Sequence, residues 1–257
     1  MIVHLVDGTY ELFRHFYGLR RAKPDEDPPF GAVIGVLNTV LKMVEDGASH
    51  LGVATDHVIE SFRNALWPDY KTGEGIEPAL ARQFQPLEDA LASAAHLAAM
   101  DDRVEKVCIW ANDKDLAQCV VGDRVVQVDR RAGTIRNADG VKEKFGVEPA
   151  LIPDFLALVG DAQDGYPGIE GIGKASAARL LNEHGPIEDF PRTVLGTNRD
   201  AALLFKKLAT LRTDAPLFAD VGELEWRGPT AEFSAWARRM DSPRILERSM
   251  KAASLDR

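Results

Sequence analysis

The sequence predicts an α/β fold: a mostly parallel sheet flanked by helices, followed by a helical region. Two observations on the 257-residue chain lead there. Over residues 1–148, short apolar runs that end in acidic residues alternate with longer runs of helical period, the order expected when strands are joined by crossover helices. From residue 149 the pattern turns helical, with Ile152, Phe155, Leu156 and Val159 spaced i, i+3, i+4, i+7. The chain is therefore divided into 1–148, an α/β domain, and 149–257, a helical region with a C-terminal extension.

The elements follow in order. "IVHLV" (2–6) is a short apolar strand ending at Asp7-Gly8, and Tyr10, Phe13 and Tyr17 mark the core face of the next helix. "KPDEDPP" (23–29) is a charged turn, and 31–47 is an apolar helix closed by Gly47. "HLGVAT" (50–55) is a second strand, ending at Asp56. The stretch 61–78 mixes basic, aromatic and Gly/Pro residues and reads as a loop or arch, in which Trp67 and Tyr70 are candidates for stacking on a base. A helix is expected over 80–100, with Pro86 as a breaker. "RVEKVCIWAN" (103–112) is a third strand and delivers Asp113 and Asp115; "RVVQVD" (124–129) is a fourth. "LFADVGELEWRGP" (217–229) is a strand candidate packed on the body.

Composition bounds the function. A hydrophobic content of 45% supports a sizeable core. A net charge of −9 argues against a passive DNA-coating protein, yet Gly171–Thr213 carries seven basic residues against four acidic ones. Two cysteines, Cys108 in an apolar strand and Cys119, suggest a reducing compartment. With no charged leader and no apolar window long enough to span a bilayer, a cytoplasmic protein with no membrane partner is expected.

The turn "GIEGIGKASAARLL" (168–181) nearly spells a P-loop, but Ala175 stands where the Mg²⁺-binding hydroxyl belongs, and the segment before it is helical. Two helices joined by this turn read as a helix-hairpin-helix. Backbone N–H groups at Gly168, Gly171 and Gly173, with Lys174 and a helix N-terminus, suit a nucleic-acid phosphate. An ordinary helical hairpin is the alternative.

Three expected strands end in aspartate: Asp7, Asp56 and the pair Asp113/Asp115. Ligands bind beyond such strand ends. Alternation along an extended segment points Asp113 and Asp115 to one side, and Asp161 and Asp164, at i, i+3, share a helical face. Clustered carboxylates without His or Cys favour Mg²⁺ or Mn²⁺, and two such ions suit in-line displacement at a phosphodiester. "VDGT" is no haloacid-dehalogenase signature, because the nucleophile position holds Leu5.

The segments "LVDGTYELFRHFYG", "FGAVIGVLNTVLKM", "ATDHVIESFRNALWPDYK", "NDKDLAQCV" and "DFLALVGDAQDGYPGIEGIGKASAARLL" together resemble the bacterial 5′-nuclease family, which includes flap endonucleases and the 5′→3′ exonuclease domain of bacterial DNA polymerase I. The resemblance implies a PIN-like catalytic domain, a helix-three-turn-helix clamp on DNA, and Mg²⁺-dependent cleavage at 5′ ends, 5′ flaps and duplex/single-strand junctions. It implies metal ligation by Asp7, Asp56, Asp113, Asp115, Asp161 and Asp164, and scissile-phosphate contacts from Arg63 and Lys71. It also implies a duplex clamp at Gly171, Gly173 and Lys174 with K⁺ on the hairpin carbonyls, and a DNA polymerase in the same pathway. The family's Glu-Ala-Asp-Asp element is shortened here: Glu88 and Asp89 stand in for its last two ligands, the upstream Glu has no counterpart, and the sheet is expected to lose a strand. After Lys71, Glu74 occupies a position often basic in the family. A catalytically weak DNA-binding protein of the same fold is the second reading, and a phosphomonoesterase or RNase using the same metals the third.

Overall fold

The computed structural model describes residues 1–19, 30–55, 62–70 and 86–254. Five strands form one sheet in the order β2-β1-β3-β4-β5: β1 Ile2–Asp7, β2 His50–Ala54, β3 Lys106–Trp110, β4 Val125–Asp129 and β5 Thr134–Arg136. The first four run parallel, and β5 returns antiparallel on β4. β1 is flanked on both sides, which is why Val3, Leu5 and Val6 are all buried and its sequence reads as a continuous apolar run. The short β5 was not legible in the sequence. It has three residues, and Ile135 at its centre is exposed, so no alternation develops. A turn in which Asp129 accepts from the Arg131 and Ala132 amides makes the reversal.

The helices are α1 Gly8–Leu19, α2 Gly31–Glu45, α3 Phe62–Leu66, α4 Pro86–Met100, α5 Ala138–Phe145, α6 Ile152–Val159, α7 Lys174–His184, α8 Arg192–Leu195, α9 Arg199–Ala209, α10 Phe233–Arg239 and α11 Pro243–Ala253. α4 is described from Pro86, and the part of the expected 80–100 helix before it lies outside the described residues. The expected arch opens with a helical turn, α3, and α5 is an additional helix. Along α1, Tyr17 is half exposed, not core.

The two expected regions share one core. A single apolar cluster runs from Tyr70, Ala117, Val120 and Val141 into Phe155, Leu158, Leu181 and Phe205. The chain then returns to the α/β part. Trp226 N–H donates to Ser49 O at 2.7 Å, Glu225 bridges His50 in place of the expected longer strand, and α11 packs on α2 through Leu41, Val44, Ile245 and Ala252.

A buried ion pair ties these parts together. Arg63, only 1% exposed, forms a two-point pair with Asp89, with both N···O distances 2.9 Å. It also donates to Leu208 O at 2.9 Å and Thr210 O at 2.8 Å. Asp89 in addition accepts from the Arg212 amide at 2.8 Å. The sequence expectations put Arg63 on a scissile phosphate and Asp89 on a metal; in this structure the Arg63 guanidinium is directed into the protein and Asp89 balances its charge. Removing one partner of a buried pair typically costs about 3–5 kcal/mol, because the other charge and the carbonyls lose their compensation. Arg63→Met is therefore expected to lower unfolding free energy by about 3 kcal/mol or more, read from urea titrations.

Candidate metal centre

Strand order 2-1-3-4 reverses direction between β1 and β3, and in open α/β sheets the ligand crevice lies beyond the strand ends at that switch. Asp7 ends β1 and caps α1, its Oδ1 accepting from the Tyr10 amide at 2.7 Å. After β3, Asp113 Oδ1 accepts from the Asp115 amide at 2.9 Å, and Gln127 donates to Asp113 O at 2.6 Å. This turn starts a 3-10 helix at Asp115. The two carboxylates are thus separated by a turn, not aligned along an extended segment as expected. Asp115 is driven inward, 2% exposed.

The other two carboxylates come from the end of α6. Seven of its eight residues, Ile152–Leu158, are buried. The chain leaves it at Gly160 (φ +82°) and comes back against it at Gly168 (φ +74°). A Cβ on Gly160 would lie 2.4 Å from Pro167 O, and one on Gly168 would lie 2.3 Å from Gly160 N. Only glycine permits this crossing. The loop between them is closed by paired hydrogen bonds between Asp161 and Tyr166. Asp161 and Asp164 therefore sit on a pinched loop, not on a helical face.

Asp115, Asp161 and Asp164 converge, each offering an oxygen within 4.8 Å of the others. At that separation each pair of charges repels by about 3 kcal/mol at an effective dielectric constant near 20. Lys114 offsets part of this with its ammonium 2.6 Å from Asp161 Oδ1. One ammonium among three carboxylates leaves two negative charges, the charge of one divalent cation. Tyr70 donates to Asp164 Oδ2 at 3.3 Å. The oxygen-only donor set, its burial and its residual charge fit a hard divalent cation.

Asp7 and Asp113 stand at the same end of the sheet, outside this triad. Glu88 is buried in the first turn of α4 and is also outside the triad. Asp56 and Lys71 lie outside the described residues, as do His57 and Glu74. Trp67 and Tyr70 are not free for base stacking. Trp67 donates to Gly165 O at 3.0 Å and packs edge-on against Phe205, and Tyr70 is 2% exposed. Sequence reading missed Lys114 and Tyr166. Their signals were faint: a lysine between two aspartates, and a tyrosine in a glycine-rich turn.

Behind the triad lies the glycine hairpin. Gly171 (φ +82°) and Gly173 have open space where a Cβ would be, so a phosphate can approach their backbone. Gly168 is used differently, against Gly160. Gly173 starts α7 without a side-chain cap, and Lys174 follows it, exposed. Lys144 links this hairpin to the triad. Burial, and then the neighbouring charges of Arg136, Lys174 and Lys114, push its ammonium down from the usual lysine range. Arg136, Lys174 and Lys114 thus each act on Lys144, with Asp129 offsetting part of their repulsion. No helix among the described residues is long and apolar enough to cross a membrane.

Solved structures similar to this chain include a 5′-exonuclease and a flap endonuclease. The bacteriophage T5 5′-exonuclease with bound zinc superposes with a TM-score of 0.64 at 17% identity, covering 98% of both chains. Flap endonuclease-1 from Methanococcus jannaschii gives 0.56 at 16% identity, over 98% of this chain and 91% of that one. Two family models match: the 5′-3′ exonuclease N-terminal resolvase-like domain over residues 2–146, and the 5′-3′ exonuclease C-terminal SAM fold over 147–232. The chain belongs to the 5′-3′ exonuclease family. The 5′-3′ exonuclease of Buchnera aphidicola (subspecies Baizongia pistaciae) is 30% identical, with 82% of this chain and 81% of that protein covered. DNA polymerase I of Pseudomonas aeruginosa is 34% identical over 86% of this chain but only 28% of its own length. The chain spans under a third of the DNA polymerase I relatives from Pseudomonas aeruginosa and Bacillus subtilis.

The charge balance at Lys114 has a consequence of definite sign. Lys114→Ala is expected to lower the melting temperature in EDTA, because the triad loses its internal cation. The same change is expected to tighten Ca²⁺ binding in calorimetry, because nothing competes for Asp161. Weaker Ca²⁺ binding would contradict this account.

Proposed function

We propose that this chain hydrolyses DNA phosphodiesters at 5′ ends, 5′ flaps and duplex/single-strand junctions, using Mg²⁺ or Mn²⁺ held by Asp115, Asp161 and Asp164. The observation that carries the reading is the buried triad of carboxylates at the sheet's switch point. A second cation would draw on Asp7 and Asp113 at the same sheet end. When bound, such cations lower the pKa of water and neutralise charge on the leaving oxygen. This chain's own residues hold the carboxylates, shield them from bulk solvent and bring the substrate backbone alongside. Lys144, Arg136 and Lys174 would carry the phosphates from the triad to the open glycines of the hairpin, where K⁺ on the turn carbonyls belongs to the same reading. A T5 flap endonuclease solved in complex with DNA and metal ions supports DNA as substrate. Relatives named DNA polymerase I imply a polymerase at the same junction as partner.

One observation favours the second reading, a DNA clamp with weak hydrolysis: Asp89, from the shortened element, is spent on Arg63. A single experiment separates the two. A 5′-labelled flap duplex is incubated with the protein, with Mg²⁺ or EDTA, beside Asp115→Asn. Cutting that needs Mg²⁺ and drops at least about 100-fold in the variant, with binding retained, supports the nuclease. Tight binding without cutting supports the clamp.

The cationic line carries its own expectation. Lys174→Ala and Lys144→Ala are each expected to weaken duplex binding about equally across sequences and to reduce the slope of log K against log salt by about one. Sequence-dependent losses would argue against a backbone clamp.

A further inference from the structure

Tyr166 is the large polar side chain beside the triad whose hydroxyl has no use in the account so far. It is 1% exposed. Its backbone is fixed to Asp161 in both directions, N–H to O at 2.9 and 3.1 Å. Its ring stacks on Phe205, with centroids 5.6 Å apart and planes 21° apart. Phe205 is itself braced edge-on by Trp67, whose indole N–H is anchored on Gly165 O. The ring is thus held in one orientation. At its tip the Tyr166 hydroxyl is buried and has no hydrogen-bond partner among the described residues. Its place two residues after Asp164 and its backbone pairing with Asp161 set it beside the triad, and burial, with the charges of Asp115, Asp164 and Asp161, raises its pKa. Tyr70, on the far side of Asp164, has by contrast found its acceptor.

A buried hydroxyl without a partner is a standing cost that phenylalanine, filling the same space, would avoid. Such groups persist where they serve a ligand. Three converging carboxylates and a buried donor fixed beside them form one site suited to a hard cation.

We propose that Tyr166 is a positioning residue of the cation site, its O–H held to donate to the hydration shell of a divalent cation bound by Asp115, Asp161 and Asp164. The proposal rests on the metal-dependent reading above. It makes Tyr166 a group that loses stability in the free protein and regains it when the cation arrives.

Tyr166→Phe tests this through two readouts that do not involve cleavage. Thermal unfolding in EDTA is measured beside Ca²⁺ and Mn²⁺ titration by calorimetry, without DNA. The expected result is an unchanged or higher melting temperature in EDTA, together with cation affinity weaker by about fivefold, the worth of one hydrogen bond. In flap cleavage, the Mg²⁺ concentration for half-maximal rate is expected to rise by a similar factor while KM for DNA stays constant. Equal cation affinity in variant and wild type would overturn the role of Tyr166 and leave the metal site intact. A clearly lower melting temperature in EDTA would also overturn it, since the hydroxyl would then have a partner in the protein. A wild type that binds no divalent cation would sink the metal reading together with the proposal.

Discussion

Three carboxylates held within 4.8 Å of one another under cover of protein repel strongly, and much of the structure is arranged to keep them there. Two come from a loop that cannot relax, because Gly160 and Gly168 touch backbone to backbone at its neck. The third is held by a side chain two residues earlier, Asp113, whose own carboxylate accepts from the Asp115 amide. Lys114 and Tyr70 take up part of the charge. The carboxylates are thus held together without a cation, and under the proposed function a divalent cation would relieve their repulsion.

The Arg63–Asp89 pair bears on the same problem from outside. Arg63 joins α3 to α4 and to the carbonyls that end α9, so the segment leading toward Tyr70 is tied to the helical region beneath the triad. An arginine suits this junction because its planar fork serves a carboxylate and two carbonyls at once, which a lysine cannot do. Asp89 thereby serves the framework that joins α3, α4 and the end of α9. The family resemblance alone assigns Asp89 the opposite part.

The overall acidity of the chain conceals a local reversal. At −9 the protein as a whole repels nucleic acid, yet Lys114, Arg136, Lys144 and Lys174 come from four separate elements to lie near one another. Screening over about 8 Å at physiological salt makes this local arrangement matter more than net charge. Under the proposed function, these cations would offer a phosphate backbone a favourable surface near the carboxylates.

The strands, their acidic ends, α6 and the glycine hairpin followed by α7 were legible because each is written in local spacing: apolar runs, helical period, and glycines at a turn. The convergence of Asp115 with Asp161 and Asp164 was expected from strand-end and motif logic, although through an extended segment and a helical face that the structure replaces with a turn and a pinched loop. The roles of Arg63, Asp89, Lys114 and Tyr166 were not legible. Arg63 meets Asp89 across 26 residues and Leu208 across 145, and Tyr166 acquires its meaning only from Phe205 against its ring and the buried, unpartnered state of its hydroxyl. Periodicity determines which face of an element is buried. Whether a charged or hydroxyl group there is paired, spare or waiting for a ligand depends on what distant segments bring to it, and only the packed tertiary structure decides that.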